Sequence, residues 1–78
     1  MTTHFDSIND INSSVIEKIS YDKLFCHLFI TFKNGGVYRY LAVPGYIFDA
    51  FNHAVKNDES VGKLFNERIK DLFPYDKI

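Results

Sequence analysis

Two periods divide the chain. Up to about residue 43 apolar side chains recur at every second position, and beyond Pro44 they recur every three or four, the patterns of strand and helix respectively. Residues 15–21 alternate Val15, Glu17, Ile19 and Tyr21 against Ile16, Lys18 and Ser20, which predicts a first strand. Asp22 and Lys23 supply a tight turn. The strongest strand pattern follows over residues 24–33, with Leu24, Cys26, Leu28, Ile30 and Phe32 on one face and Phe25, His27, Phe29, Thr31 and Lys33 on the other. Asn34, Gly35 and Gly36 predict a hairpin, because these residues tolerate the positive φ that such turns need. Residues 37–43 return as a third strand, ended by Pro44, which cannot donate to a ladder and suits the first turn of a helix.

Ile47, Ala50, Phe51 and Ala54 stand at i, i+3, i+4 and i+7, the apolar stripe of a first helix. Asn57 and Asp58 break it, and Ser60 is placed to cap a second helix. That helix carries Val61, Leu64, Phe65, Ile69 and Leu72, with Phe73 beside them, and Pro74 stops it. Residues 1–12 lack periodicity and are rich in Thr, Ser, Asn and Asp, which predicts a flexible or loosely docked arm. The expected fold is α+β: a single domain over residues 13–78, with a three-stranded antiparallel meander followed by two helices packed on one face.

Hairpin register decides where the tyrosines of Tyr38-Arg39-Tyr40 point. A two-residue loop sets Tyr38 and Tyr40 beside Phe25, His27 and Phe29 and turns Arg39 into the core, where an unpaired guanidinium is costly. A three-residue loop with a bulge glycine sets both tyrosines beside Leu28, Ile30 and Phe32 and sends Arg39 outward. Arg39 favours the second arrangement.

Composition sharpens this picture. In 78 residues there are eight Phe and five Tyr but no Trp, so aromatic burial must supply much of a core that is marginal at this size. Cys26 is the lone cysteine and cannot form an internal disulfide; it reads as a small buried hydrophobe on a strand in a reducing compartment. The polar, acidic start and the lack of an 18-residue apolar run predict a cytoplasmic protein with no membrane partner. The net charge of −1 argues against coating nucleic acid by electrostatics alone. Yet residues 23–43 hold Lys23, Lys33 and Arg39 and no acid, interleaved with Phe25, Phe29, Phe32, Tyr38 and Tyr40.

Catalytic and metal motifs are not evident. His4, His27 and His53 are scattered, without the spacing of a metal site. Cys26 and His27 are strand neighbours pointing to opposite faces, so they cannot share a proton. Gly35 and Gly36 join strand to strand, whereas phosphate-binding loops run from strand into helix. Ser60, Gly62 and Lys63 form a candidate anion site at a helix start, although a capping serine and a packing glycine account for the same residues. The expectation is a non-enzymatic chain with no cofactor.

The ordered segments SSVIEKISYD, LFITFKNGGVYRYLAVP and SVGKLFNERIKDLFPY resemble the KTSC domain, a small module found alone in bacterial and phage proteins and at the C-terminus of some lysyl-tRNA synthetases. The resemblance covers residues 13–75 and rests on Ser13, Ser14, Ile16, Leu28, Ile30, Phe32, Asn34, Gly35, Tyr38, Tyr40, Val43, Pro44, Ser60, Gly62, Phe65, Asn66, Ile69, Pro74 and Tyr75. The chain departs from the family pattern at Val61, usually lysine, at Phe73, usually tyrosine, and in a longer lead-in at residues 56–59. The resemblance implies no activity, but its synthetase neighbours suggest RNA.

The functional expectation is therefore a binding module. Phe25, Phe29 and Leu41, rimmed by His27, Lys33 and Arg39, would form an apolar face with no helix over it. That face suits RNA or another single strand stacking on rings, or alternatively a protein partner or a second copy of the chain. A third arrangement has Phe5, Ile8 and Ile11 of the arm folding over it.

Overall fold

The computed structural model describes residues 5–78. Its elements, in chain order, are strands β1 (Phe5–Ile8), β2 (Ile16–Asp22), β3 (His27–Phe32) and β4 (Val37–Tyr40), helices α1 (Gly45–Lys56) and α2 (Val61–Arg68), and strand β5 (Tyr75–Lys77). All five strands form one antiparallel sheet in the order β1-β2-β3-β4-β5. The fold is α+β as expected, but the meander has an added strand at each edge. Part of the region expected as an arm, residues 5–8, pairs with β2, while residues 75–77 return from the helices to pair with β4. His4 lies outside the described residues.

The hairpin takes the three-residue loop. Leu28 faces Tyr40, Phe29 faces Arg39 and Ile30 faces Tyr38, so both tyrosines share the face of Leu28 and Ile30 and Arg39 points away from it. Gly35, at φ +97°, provides the left-handed step, and its N–H donates to the Phe32 carbonyl at 2.9 Å. A Cβ there would meet nothing within 4 Å, so Gly35→Ala is expected to cost about 1–2 kcal/mol through backbone strain alone. The urea midpoint measures it; no change would mean that the loop relaxes into another turn.

Several side chains leave the positions that alternation gives them. β2 carries a bulge between Ile16 and Lys18, and this puts Ile16 and Ile19 on the same buried face, with Val15 exposed. The strand expected from residue 24 begins only at His27. Asp22 is the cause: its Oδ1 accepts from the N–H of Leu24 at 2.9 Å and of Phe25 at 3.4 Å, folding residues 23–26 into a turn. Cys26 is therefore exposed with φ 58°, a correction to its expected burial on a strand. The third strand likewise stops at Tyr40, because Ala42 turns at φ 57° and the Val43 N–H is directed to the Cys26 carbonyl at 2.9 Å.

Ile47, Phe48, Phe51 and Ala54 of α1 and Val61 and Phe65 of α2 are buried with Ile16, Ile19, Leu28 and Ile30 of the sheet. Both helices thus cover one sheet face and leave the other open. Ser60 caps α2 by accepting from the Lys63 N–H at 3.1 Å. The helix ends at Arg68, before the expected stop at Pro74, and the chain then turns with Asp71 at φ 64°. This turn leaves Leu72 exposed, although the helical stripe had placed it in the core.

Candidate functional site: an aromatic sheet face

Strand alternation on β3 directs His27 and Phe29 away from the helices. Their rings form a continuous series with two neighbours: Phe25 lies 5.8 Å from His27, His27 lies 6.3 Å from Phe29, and Phe29 lies 5.9 Å from Phe5. Phe25 comes from the turn that Asp22 organises, and Phe5 comes from β1. The arm therefore enlarges the aromatic face through Phe5, while Ile8 turns to the core. Phe25 is 63% exposed, so its ring remains reachable.

One cross-strand row on this face sets polar side chains on either side of Phe29. Ser7, Ser20, Phe29, Arg39 and Asp76 are consecutive cross-strand partners over all five strands. Arg39 donates from Nε to Asp76 Oδ1 at 3.1 Å and from its terminal nitrogen to Oδ2. This bond, first among the causes, raises the Arg39 pKa and lowers that of Asp76, and His27 adds a smaller positive influence on the carboxylate. Sequence reasoning placed Arg39 outward but missed its partner, because Asp76 reaches it only through a strand at the far end of the chain.

The other expected residues are less closely gathered. Lys33 sits in the hairpin loop beyond β3, four residues from Phe29 along the chain, or roughly 13 Å at the rise of a strand. Leu41 lies past the end of β4, half-buried, with its N–H on the Pro74 carbonyl at 2.9 Å. Ser60, Gly62 and Lys63 stand together at the start of α2 on another part of the molecule. There the Ser60 hydroxyl is used as a cap, and Asp58 and Glu59 share the surrounding concavity, which counts against an anion. Among the described residues no group of three His, Cys, Asp or Glu side chains gathers to hold a metal, and no helix is long and apolar enough to cross a membrane.

The residues matched to the family pattern gather elsewhere. Asn34, Tyr38, Tyr40, Phe65, Asn66 and Tyr75 meet on the helix-bearing side, lining a pocket of about 330 Å³ at the β5 edge. Motif residues separated in sequence thus become neighbours.

The geometry defines a small α+β module with a five-stranded sheet, two helices on one face and an aromatic surface on the other. The KTSC domain model matches residues 12–73, and the chain belongs to that family. It is also similar to the crystal structure of a KTSC domain protein from Yersinia pestis, with 35% identity, a TM-score of 0.82, and coverage of 95% of this chain and 97% of that one. Comparison with curated proteins gives no match.

Proposed function

We propose that the protein is a non-enzymatic binding module that takes single-stranded RNA, or another single-stranded nucleic acid, on the open face of its sheet. The observation that carries this reading is the series Phe25, His27, Phe29 and Phe5, whose centroids are spaced 5.8, 6.3 and 5.9 Å apart. Exposed rings on a sheet offer bases a surface to stack on, and each stack contributes about 1–3 kcal/mol. Because Arg39 is held by Asp76, stacking outweighs phosphate contact in this arrangement.

The measurement is a fluorescence titration of labelled single-stranded RNA at several salt concentrations. Phe29→Ala is expected to weaken binding by about 1–3 kcal/mol without altering the salt slope, since stacking releases few ions. Lys33→Ala is expected to lower the slope by about 1. Asp76→Asn frees the Arg39 guanidinium and is expected to strengthen binding and steepen the slope. No binding at about 100 μM protein in low salt, the weak end of non-specific affinity, would defeat the proposal.

The Arg39–Asp76 pair also favours a second reading, a protein partner or a homodimer, because it neutralises the central cation and leaves an aromatic patch. In that case sedimentation detects a complex without nucleic acid, and Phe29→Ala abolishes it.

A further inference from the structure

The pocket on the opposite, helix-bearing side is bordered by five rings that pack against one another in a closed circuit. Phe32 lies 5.6 Å from Tyr38, Tyr38 5.7 Å from Tyr75, Tyr75 5.4 Å from Tyr40, Tyr40 5.8 Å from Phe65, and Phe65 5.6 Å from Phe32. β3, β4, β5 and α2 each contribute, so the circuit exists only in the folded chain. We infer that this pocket is a binding site for a nucleobase, presented either by a free nucleotide or by an unstacked residue of a single strand.

The ring surface on the lining can meet the flat face of such a base, and the polar groups beside it can meet its edge. Tyr40 is only 5% exposed, yet its hydroxyl has no hydrogen-bond partner among the described residues; since no buried side-chain polar atom is orphaned among them, that hydroxyl opens onto the pocket. A phenol buried except for an oxygen that opens onto a concavity can offer that oxygen to an incoming group. Burial, then the nearby Tyr75, Tyr38 and Asp71, holds Tyr40 in its protonated form, able to donate as well as accept. The Asn66 carboxamide and the Asp71 carboxylate also line the pocket without hydrogen bonds of their own. They offer both an amide and a pure acceptor, the combination that reads amino and carbonyl groups on a base edge. At about 330 Å³ the space falls within the range of small-ligand sites.

Charge selects against the other usual guest of an aromatic enclosure, an organic cation. Lys70 lines the pocket, and Lys77, from the neighbouring concavity, holds its Nζ 6.0 Å over the Tyr38 ring, so an incoming ammonium or guanidinium meets Lys70 beside Asp71 and finds the Tyr38 ring already engaged by a cation. A neutral base avoids that repulsion, and its attached phosphate finds the two lysines.

The proposal stands apart from the open-face reading, because the circuit and the outer rings lie on opposite sides of the sheet. The test is an NMR titration of the full chain with each of the four ribonucleoside monophosphates, with a short single-stranded RNA, and with tetramethylammonium as the cation control. At least one nucleotide or the RNA is expected to shift the ring resonances of Tyr38, Tyr40 and Tyr75 saturably. Shifts with monophosphates assign a free nucleotide, and shifts with RNA alone assign a base within a strand. Asn66→Ala and Asp71→Asn are expected to weaken that binding at least tenfold, whereas Phe29→Ala leaves the ring shifts produced by monophosphates unchanged. Both altered side chains are exposed and Asn tolerates the φ of 64° at position 71, so the fold is retained, which the unperturbed core resonances verify. Larger ring shifts with tetramethylammonium than with any nucleotide, no saturable ring shift with nucleotide or RNA, or binding indifferent to both substitutions would overturn the inference. Loss of RNA binding in Phe29→Ala with intact nucleotide shifts separates the two surfaces.

Discussion

Phe51→Ala is expected to lower the unfolding free energy by about 3–5 kcal/mol, the range for truncating a fully buried aromatic. Phe51 has no exposed surface and is the largest of the fully buried side chains. It lies on the face of α1 that also buries Ile47, Phe48 and Ala54. A domain of 78 residues has roughly 4–12 kcal/mol of stability in total, so the substitution removes a large share and unfolds the chain if its reserve is small. Urea unfolding at 25 °C measures it. A loss below about 1 kcal/mol, the range of ordinary surface changes, would mean that α1 presents a different face to the sheet.

Alkaline pH is expected to destabilise the fold through Tyr21. Its hydroxyl donates to the Val43 carbonyl at 2.6 Å, and its ring stacks on Phe48 at 5.5 Å. Burial, followed by the nearby Cys26 thiol, pushes its pKa from 10.0 up to about 12. Below pH 10 the phenol is protonated in both folded and unfolded chains, and its full contribution is present. Between pH 10 and about 12 the unfolded chain ionises first, so stability falls by about 2 kcal/mol across that window. Urea unfolding at pH 8, 10 and 11.5 follows the decline. Tyr21→Phe costs about 1–3 kcal/mol at neutral pH, because the Val43 carbonyl loses its donor, but flattens the alkaline decline. Tyr40, also raised by burial, leaves a residual slope. An unchanged slope in Tyr21→Phe would show that Tyr21 is not the group responsible.

Local pattern settled much of the architecture. The period of two in residues 27–32 gave β3, and Arg39, too costly to bury, gave the hairpin register and hence the face of Tyr38 and Tyr40. The stripe through Ile47, Phe51 and Ala54 gave the buried side of α1, and Ser60 gave the start of α2. In each case the signal lies within a few residues of its consequence.

Only the tertiary structure decided the rest. Residues 5–8 and 75–77 are too short to show a period, and they become strands because β2 and β4 offer them unpaired edges. The Asp22 side chain overrode the alternation that placed Leu24 and Cys26 in the core, since satisfying two backbone N–H groups in a turn ended the ladder there. β5 then brought Asp76 to Arg39, neutralising on the open face one of the charges on which its expected basic character rested. The same strand brought Tyr75 to Tyr38 and Tyr40 and closed the aromatic circuit. Alternation assigns a side chain to a face, but a partner more than thirty residues away is assigned by strand pairing, whose long-range register no local period contains.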